Sequence, residues 1–266
     1  MKFNEKYGKY ALITGGTAGI GKAIAEDLAK RGMNLILAAR GEQELKLVQM
    51  NLQSKYSIEV LVIQTDLSGE AGIEKLNVAT QNLEIGLLVL AAGIEVNGAF
   101  EKNSLEKELQ VIQLNIVAML KLTHNYVSKM IARKKGGLLL VASLSGHMPN
   151  PYFSNYAGSK AYTLNFGASL YGELKPKGVD VVVLSPGLTQ TKMVANNGVD
   201  WSKTPLKQMN PKLVATTGIK ALGNKLIAIP GTKNKIMAFI AKHSPFKLQA
   251  VMNEKMMQKA IETSKI

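Results

Sequence analysis

Short apolar runs alternate along the chain with longer stretches in which apolar residues recur every three or four positions. The runs lack the apolar–polar alternation of a half-exposed strand, so they predict strands buried on both faces of a parallel sheet. The intervening stretches have the periodicity of amphipathic helices. The predicted strands are 10–14, 34–39, 58–63, 86–91, 137–142, 179–184 and 225–229, and the predicted helices are 20–31, 42–55, 70–82, 104–133, 155–175 and 211–223.

Strands that alternate with helices predict the α/β class, with a doubly wound, parallel, seven-stranded sheet (a Rossmann fold) and helices on both faces. The length of 266 residues is ordinary for one α/β domain, and no proline- or glycine-rich linker divides the chain. We expect the main domain over residues 1–232. Residues 233–266 are predicted to form an extension of two amphipathic helices, broken near Pro245 and packed on the same domain.

The chain is strongly basic, with 33 Lys and Arg residues against 19 Asp and Glu residues and a formal net charge of +14. Such a field attracts nucleic acid, an anionic membrane surface or an anionic substrate such as an acyl thioester. Lysines that merely cover the surface are the plain alternative. Because the lysines are spread out and match no nucleic-acid motif, no nucleic-acid partner is expected. The extension, with its basic polar face and Met-rich apolar face, is predicted to pack on its own domain or on a second subunit. The alternatives are that it lines an apolar substrate tunnel or contacts an anionic membrane peripherally.

Targeting and metal signals are missing from the sequence. The chain has no cysteine, and its three histidines, at 124, 147 and 243, lack the spacing of metal ligands, so no metal site is expected. Residues 1–8 contain no apolar signal-peptide core, and the longest apolar run, around residues 87–94, is too short to span a bilayer. A cytoplasmic location is expected, with a membrane-peripheral one as the alternative.

A glycine-rich turn follows the first predicted strand and opens the first predicted helix. Strand, turn and helix are the context of a dinucleotide motif, since glycines let the backbone approach a pyrophosphate and the helix start offers free N–H groups. A tight turn without a ligand is the alternative. The candidate cofactor residues of this turn are Gly15, Thr17, Ala18, Gly19, Ile20 and Gly21.

Arg40 ends the second predicted strand. An acidic residue at this place would bind the ribose hydroxyls of NAD, whereas arginine suits the 2′-phosphate of NADP. The sequence therefore predicts NADP as the cofactor, with NAD less favoured. A surface arginine that caps the turn is the alternative.

Ser143, Tyr156 and Lys160 supply the parts of a proton-transfer site. Tyr156 and Lys160 are four residues apart and share one helix face. A free phenol has a pKa of ~10, and a nearby ammonium group lowers it. Ser143 can donate a hydrogen bond to a substrate oxygen on which charge builds up. Ser145 is a second hydroxyl nearby, and a Tyr-x-x-x-Lys pattern alone often arises by chance.

With both motifs established, the chain resembles the short-chain dehydrogenase/reductase family in its compact single-domain form. Its extension is similar to that of the hydroxysteroid and long-chain 3-oxoacyl reductase branch. The matches run in family order over roughly the first 190 residues. They are Thr14, Gly15, Gly19 and Gly21, then Asp66 and Leu67, then Leu90 to Gly93, then Asn115, then Ser143, Tyr156 and Lys160, and finally Pro186 and Gly187.

The resemblance implies a role for each matching residue. Tyr156 would be the general acid, and Lys160 would lower the Tyr156 pKa and hold the nicotinamide ribose. Ser143 would bind the substrate carbonyl, and Asn115 would hold a water that relays protons behind Lys160. Further cofactor contacts are implied for Asp66 at the adenine, for Leu67, Ala92 and Gly93, and for Pro186, Gly187 and Thr189 at the nicotinamide.

One departure from the family and two nearby segments add further expectations. The family usually has Asn-Asn-Ala-Gly where this chain has Leu90-Ala-Ala-Gly93, so some loss of local stability is expected. Residues 188–210 would cover the substrate, with Met193 and Trp201 either lining an apolar pocket or packed in a loop. His147 is expected either to line the substrate cleft or to be solvated.

The sequence thus predicts an NADP(H)-dependent oxidoreductase that reduces a ketone or aldehyde, of apolar or acyl type, to an alcohol. Residues 1–232 would be its NADP-binding catalytic domain. The rival hypotheses are a non-catalytic dinucleotide-binding sensor or scaffold and a membrane-peripheral lipid-modifying reductase. The family resemblance also implies a homodimer or homotetramer, assembled through the predicted helices 104–133 and 155–175.

Overall fold

A parallel sheet of seven strands forms the centre of the protein, whose computed structural model describes residues 3–261. The strands are β1 (Tyr10–Thr14), β2 (Asn34–Ala39), β3 (Val60–Gln64), β4 (Ile85–Leu90), β5 (Gly136–Val141), β6 (Val179–Leu184) and β7 (Ile227–Ala228). Their spatial order is β3-β2-β1-β4-β5-β6-β7, and all neighbours are parallel. The order reverses between β1 and β4, where a doubly wound sheet leaves a crevice at the carboxyl ends of its strands.

Helices connect the strands and cover both faces of the sheet. They are α1 (Phe3–Tyr7), α2 (Gly19–Lys30), α3 (Glu42–Lys55), α4 (Glu70–Thr80), α5 (Leu105–Ile112), α6 (Met119–Ala132), α7 (Ser154–Leu174), α8 (Lys192–Ala195), α9 (Pro211–Ala221), α10 (Thr232–His243) and α11 (Phe246–Gln258). A π-helical segment, Gln113–Ala118, joins α5 to α6. This architecture confirms the predicted fold class.

Two apolar clusters, one on each face, explain why the strands carry unbroken apolar runs. Alternate residues of a strand point to opposite faces, so Ile13 packs with α2, α3 and α9 while its neighbour Leu12 packs with α4, α6 and α7. Strands β1, β4 and β5 are buried at every position. A sheet covered on both faces needs apolar side chains at successive positions, which is the pattern that the sequence shows.

Apart from shifts of one or two residues at the ends of elements, the predicted elements differ from the structure in four places, one of which is the short, unpredicted helix α8. The helix predicted over 104–133 is divided by the π-helical segment, and the strand predicted over 225–229 pairs only at Ile227–Ala228. Helix α1 was not predicted. It is held because the Tyr7 hydroxyl donates a hydrogen bond to Asp180 at 3.0 Å, a contact across 173 residues that no local pattern encodes.

The C-terminal extension folds as α10 and α11 and packs against the rest of the chain. Asn253 Nδ2 donates to the Pro149 carbonyl at 2.8 Å, and the Tyr152 hydroxyl donates to Glu254 at 3.1 Å. Met257 and Ile261 are buried against Phe153. The last residues of the predicted extension, 262–266, lie outside the described residues, as do residues 1–2. Within residues 3–261, no helix is both long and apolar enough to cross a membrane.

Candidate active site

One large cavity, hereafter the main cavity, lies at the carboxyl ends of the strands, and its volume is about 1040 Å³. Such a volume is at the upper end for small-molecule sites and suits a dinucleotide together with a second ligand. Every residue predicted to contact the cofactor lines it, as does Ser143. Asn115 is the exception among the predicted site residues, because it lies behind the wall of the main cavity.

The glycines of the first turn keep one end of the main cavity open to the backbone. A Cβ atom on Gly21 would lie 2.3 Å from the Gly15 carbonyl oxygen, and one on Gly15 would lie 3.0 Å from Ala92. Gly15 also has a φ of +68°, a conformation that favours glycine. The turn is therefore a close-packed, side-chain-free cradle directly before α2, which fits the pyrophosphate of a dinucleotide.

Thr14 ties the loop after β4 to the end of β1, although the amides usual in that loop are missing. Its hydroxyl oxygen accepts hydrogen bonds from the backbone N–H groups of Ala91 and Ala92, both at 3.1 Å. The end of β1 is thereby tied to the loop after β4. The local stability that the sequence put in doubt thus has a source in the neighbouring strand.

Arg40 is exposed at the rim of the main cavity, beside the end of β2. Its guanidinium forms no salt bridge with any described residue, so it remains available to a ligand. Its charge contributes to a lowered pKa of Asp66, after the hydrogen bonds that Ser68 donates to that carboxylate. Glu44 lines the same rim and was not predicted from the sequence.

Ser143, Tyr156 and Lys160 converge on the other end of the main cavity. Ser143 follows β5, while Tyr156 and Lys160 lie on α7. Lys160 Nζ donates to the Val141 carbonyl at 2.9 Å and lies 5.6 Å from the centroid of the Tyr156 ring. The Ser143 hydroxyl acts on Tyr156 and lowers its pKa, whereas the Ser145 hydroxyl accepts from Asn150 at 3.2 Å. The geometry therefore favours Ser143 over Ser145 as the residue that faces the tyrosine.

The pKa of Tyr156 differs from the sequence-based expectation that Lys160 lowers it. Burial and the negative charge of Glu95 raise the pKa of Tyr156, and only the Ser143 hydrogen bond lowers it. Burial lowers the pKa of Lys160 to about 8, against an opposing effect of Glu95. The predicted lowering of the Tyr156 pKa by Lys160 is not found, because the Lys160 ammonium is turned towards Val141.

Asn115 lies in the π-helical segment and ties the loop after β4 to α7. Its side chain donates to the Ile94 carbonyl at 2.9 Å and to Ser159 Oγ at 3.0 Å, and it accepts from the Ile94 N–H at 3.0 Å. A single π-helical turn inside an α-helix is common at functional sites. A small internal cavity of about 10 Å³ lies between Asn115 and Lys160, close to the smallest volume that holds one water molecule.

The segment 188–210, hereafter the lid segment, covers the main cavity together with α11. Met193 and Trp201 both line the cavity, so the pocket interpretation holds for these two side chains. They are joined there by Phe153, whose ring lies 6.3 Å from that of Trp201, and by Met256 and Met257 of α11. This end of the cavity is therefore apolar on several sides.

Two polar residues of the cavity region escaped the sequence analysis. Glu95, in the loop after β4, lines the main cavity, and Asn197 of the lid segment donates a hydrogen bond to it at 2.8 Å. Neither residue belongs to a motif. Only the position of Glu95, two residues after Gly93, could have indicated that it faces the site.

His147 does not line the main cavity and is not a solvated loop residue. It is half-buried, and its Nε2 is hydrogen-bonded to Ser185 Oγ at 2.9 Å. Burial lowers its pKa. Both alternatives drawn from the sequence were wrong, because its partner is 38 residues away. Over residues 3–261, no group of three or more His, Asp or Glu side chains is arranged to hold a metal ion.

Comparison with known proteins agrees with this geometry. The family model of short chain dehydrogenases matches residues 9–200. A 7beta-hydroxysteroid dehydrogenase of Clostridium sardiniense is 33% identical over 235 residues, which cover 88% of this chain and 90% of that protein. A very-long-chain 3-oxoacyl-CoA reductase of Mus musculus is 32% identical over 238 residues, with 87% and 76% coverage.

A solved structure of a 7beta-hydroxysteroid dehydrogenase superposes with a TM-score of 0.87 at 27% identity. The superposition covers 95% of this chain and 99% of that one, so it includes most of the C-terminal extension. The chain therefore belongs to the short-chain dehydrogenase/reductase family of oxidoreductases, in the branch that contains hydroxysteroid dehydrogenases and 3-oxoacyl-CoA reductases.

Proposed function

We propose that this protein is an NADP(H)-dependent carbonyl reductase that converts an apolar ketone or aldehyde into an alcohol. The observation that carries the proposal is the convergence of Ser143, Tyr156 and Lys160 on the same cavity as the glycine cradle and Arg40. Residues 1–232 form the catalytic domain in this proposal, and the extension that begins at residue 233 completes the wall of its cavity.

Each residue of the site has a separate role in the proposed reaction. Bound NADPH supplies the hydride. Ser143 donates a hydrogen bond to the substrate carbonyl oxygen, and Tyr156 gives that oxygen its proton. Because burial and Glu95 raise the pKa of Tyr156, the phenol is protonated at neutral pH, which is the form that an acid needs for reduction.

Lys160 and Asn115 act behind the tyrosine. Lys160 holds the nicotinamide ribose, and Asn115 keeps the loop after β4 in contact with α7. The small cavity between Asn115 and Lys160 supports the proposal that a water there passes a proton towards Lys160. Asp66 and Leu67 bind the adenine end, and Arg40 binds the 2′-phosphate.

The substrate in this proposal is apolar or an acyl derivative. Support comes from the cavity wall, where Phe153, Trp201 and the methionines of α11 surround the space beside Tyr156. The two relatives are named for a hydroxysteroid and for a very-long-chain 3-oxoacyl-CoA, and a steroid skeleton and a very long acyl chain are both apolar.

Oxidation of NADPH and NADH with a panel of apolar ketones tests the function. We expect faster turnover with NADPH, and we expect Arg40→Ala to weaken NADPH binding by about 10- to 100-fold with little effect on NADH, since a charge-assisted hydrogen bond is lost. Lys46→Ala is the matched control, because Lys46 pairs with Glu42 at 2.6 Å outside the cavity. An equal preference for NADH in the wild type would refute the role of Arg40. Binding without any turnover would favour the non-catalytic sensor.

A membrane-peripheral reductase is the second candidate, and one surface favours it. Helices α10 and α11 expose a row of large apolar side chains, although α11 also buries Met257. Within residues 232–261 this row is accompanied by six lysines and one glutamate, so the surface is apolar and positively charged at once. Such a surface suits the interface of an anionic membrane, and its charge disfavours a second copy of itself. The exposed residues are Ile236, Phe239, Ile240, Phe246, Leu248, Val251 and Met252.

Vesicle flotation tests this second candidate. We expect binding to vesicles that contain phosphatidylglycerol, weaker binding to pure phosphatidylcholine and loss of binding at high salt. The double variant Phe239→Ser, Phe246→Ser is expected to reduce binding by about tenfold or more, since two large apolar side chains no longer enter the lipid. Phe100→Ser is the control, because Phe100 is equally exposed but lies before α5. A stable dimer that disappears in the double variant, without vesicle binding, would contradict the membrane assignment.

Assembly as a homodimer or homotetramer stays a prediction. Exposed Leu105 and Leu109 on α5 support an interface that includes this helix.

A further inference from the structure

Glu95 is a carboxyl group in the main cavity that has no assigned contact with the substrate in the proposed reaction. It lies in the loop after β4 and lines the same cavity as Ser143, Tyr156 and Lys160. Its negative charge raises the pKa of Tyr156 and opposes the lowering of the Lys160 pKa. The loop that carries Glu95 also passes close to Lys160, because a Cβ atom added to Gly93 would lie 3.5 Å from Lys160 Nζ.

Hydrogen bonds from the lid segment hold this carboxylate in place. Asn197 Nδ2 donates to Glu95 Oε1 at 2.8 Å, and the Asn197 side chain is itself only 8% exposed. Asn197 Oδ1 accepts from the Val199 N–H at 3.1 Å, and Asn97 Nδ2 donates to the Asn197 carbonyl at 2.9 Å. Both ends of the Asn197 carboxamide are thus engaged, and the Glu95 side chain is fixed between the loop after β4 and the lid segment.

The second carboxylate oxygen has no such partner. Among residues 3–261, Glu95 Oε2 accepts no hydrogen bond. Burial raises the pKa of Glu95, and the bond from Asn197 and the charge of Lys160 lower it. An acceptor at the wall of a binding cavity that has no protein partner can accept a hydrogen bond from a ligand that enters the cavity.

We propose that Glu95 and Asn197 form a substrate subsite beside the reacting carbonyl, in which the free oxygen of Glu95 accepts a hydrogen bond from a hydroxyl group of the substrate. A neutral hydroxy ketone fits this subsite. A keto acid does not, because its carboxylate would face that of Glu95, and like charges in a buried site repel strongly. The inference rests on the proposed reductase function and narrows its substrate class.

Turnover with three matched ketones tests the subsite. Acetophenone, its α-hydroxy derivative and phenylglyoxylate differ only in the group beside the carbonyl. We expect wild-type kcat/KM to be at least about tenfold higher for the hydroxy ketone than for phenylglyoxylate. Glu95→Gln removes the charge but keeps an oxygen for Asn197, so the ratio of kcat/KM for the hydroxy ketone to that for phenylglyoxylate should fall by about fivefold or more.

Glu101→Gln is the matched control, because Glu101 is an exposed carboxylate of the same segment that does not line the cavity. It should leave the ratio unchanged. If Glu95→Gln had the same ratio of kcat/KM for the hydroxy ketone to kcat/KM for phenylglyoxylate as the wild type, the proposed subsite would be wrong.

A binding measurement separates the subsite from the reductase proposal. Trp201 is the single tryptophan of the chain and lines the main cavity, so its fluorescence reports binding without turnover. We expect wild type to bind phenylglycol more tightly than mandelate, and Glu95→Gln to lose the difference. That result supports the subsite even if no ketone is reduced, in which case the reductase proposal alone fails. Equal affinities, or no response to either compound, would overturn the subsite.

Discussion

Tyr156→Phe is expected to lower kcat for carbonyl reduction by about 100- to 10,000-fold, the range that a positioned general acid contributes. The phenyl ring keeps its packing against the cluster of Phe153, Met257 and Ile261, so only the O–H group is lost. NADPH binding should therefore be unchanged. NADPH oxidation measures the rate, and Trp201 fluorescence measures the cofactor affinity in the same preparation.

Tyr162→Phe is the control for this prediction. Tyr162 lies on the same helix, stacks on Phe166 with ring centroids 5.5 Å apart and does not line the main cavity. It should keep the wild-type rate. If Tyr156→Phe also kept the full rate, Tyr156 would not be the proton donor and the proposed roles on α7 would be wrong.

Gly21→Ala is expected to weaken NADPH binding by at least about tenfold and to lower the free energy of unfolding by about 1–3 kcal/mol. Its Cβ would lie 2.3 Å from the Gly15 carbonyl oxygen, and backbone cannot move aside as a side-chain end can. The turn must shift, and the cradle for the pyrophosphate shifts with it. Urea unfolding and NADPH titration measure the two effects.

Gly172→Ala is expected to change the free energy of unfolding in the opposite direction. Gly172 lies in α7, and a Cβ atom added there would meet no atom of the described residues within 4 Å, apart from its own helix backbone and chain neighbours. Alanine there should raise the free energy of unfolding by about 0.5–1 kcal/mol, because glycine is unfavourable inside a helix. A Gly21→Ala protein that gained stability in the same way and bound NADPH normally would show that the turn tolerates a side chain.

Much of the fold was predictable because burial leaves a local pattern. The strand at 34–39 and the helix at 42–55 have the predicted bounds, and several other elements differ by only one or two residues. Parallel strands bring their carboxyl ends to one edge, so the residues that follow them could be expected together before any contact was known. This is why the predicted cofactor residues line one cavity.

Contacts between distant residues were not predictable. The partner of Glu95 is 102 residues away at Asn197, and that of His147 is 38 residues away at Ser185. The π-helical turn at Asn115 also has no marker such as proline or glycine. It accompanies the hydrogen bonds of Asn115 with Ile94, which is in another element.

The sequence by itself determined the α/β architecture, the family and the chemical type of the site, since each of these depends on local periodicity or on motifs at fixed spacing. The tertiary structure alone decided that Glu95 lines the cavity with the tyrosine and lysine, that its partner is Asn197 of the lid segment, and that much of the apolar surface of α10 and α11 stays exposed. The physical reason is that charge, burial and shape at a site arise from side chains that folding brings together. The spacing of residues along the chain does not specify which distant side chains come into contact.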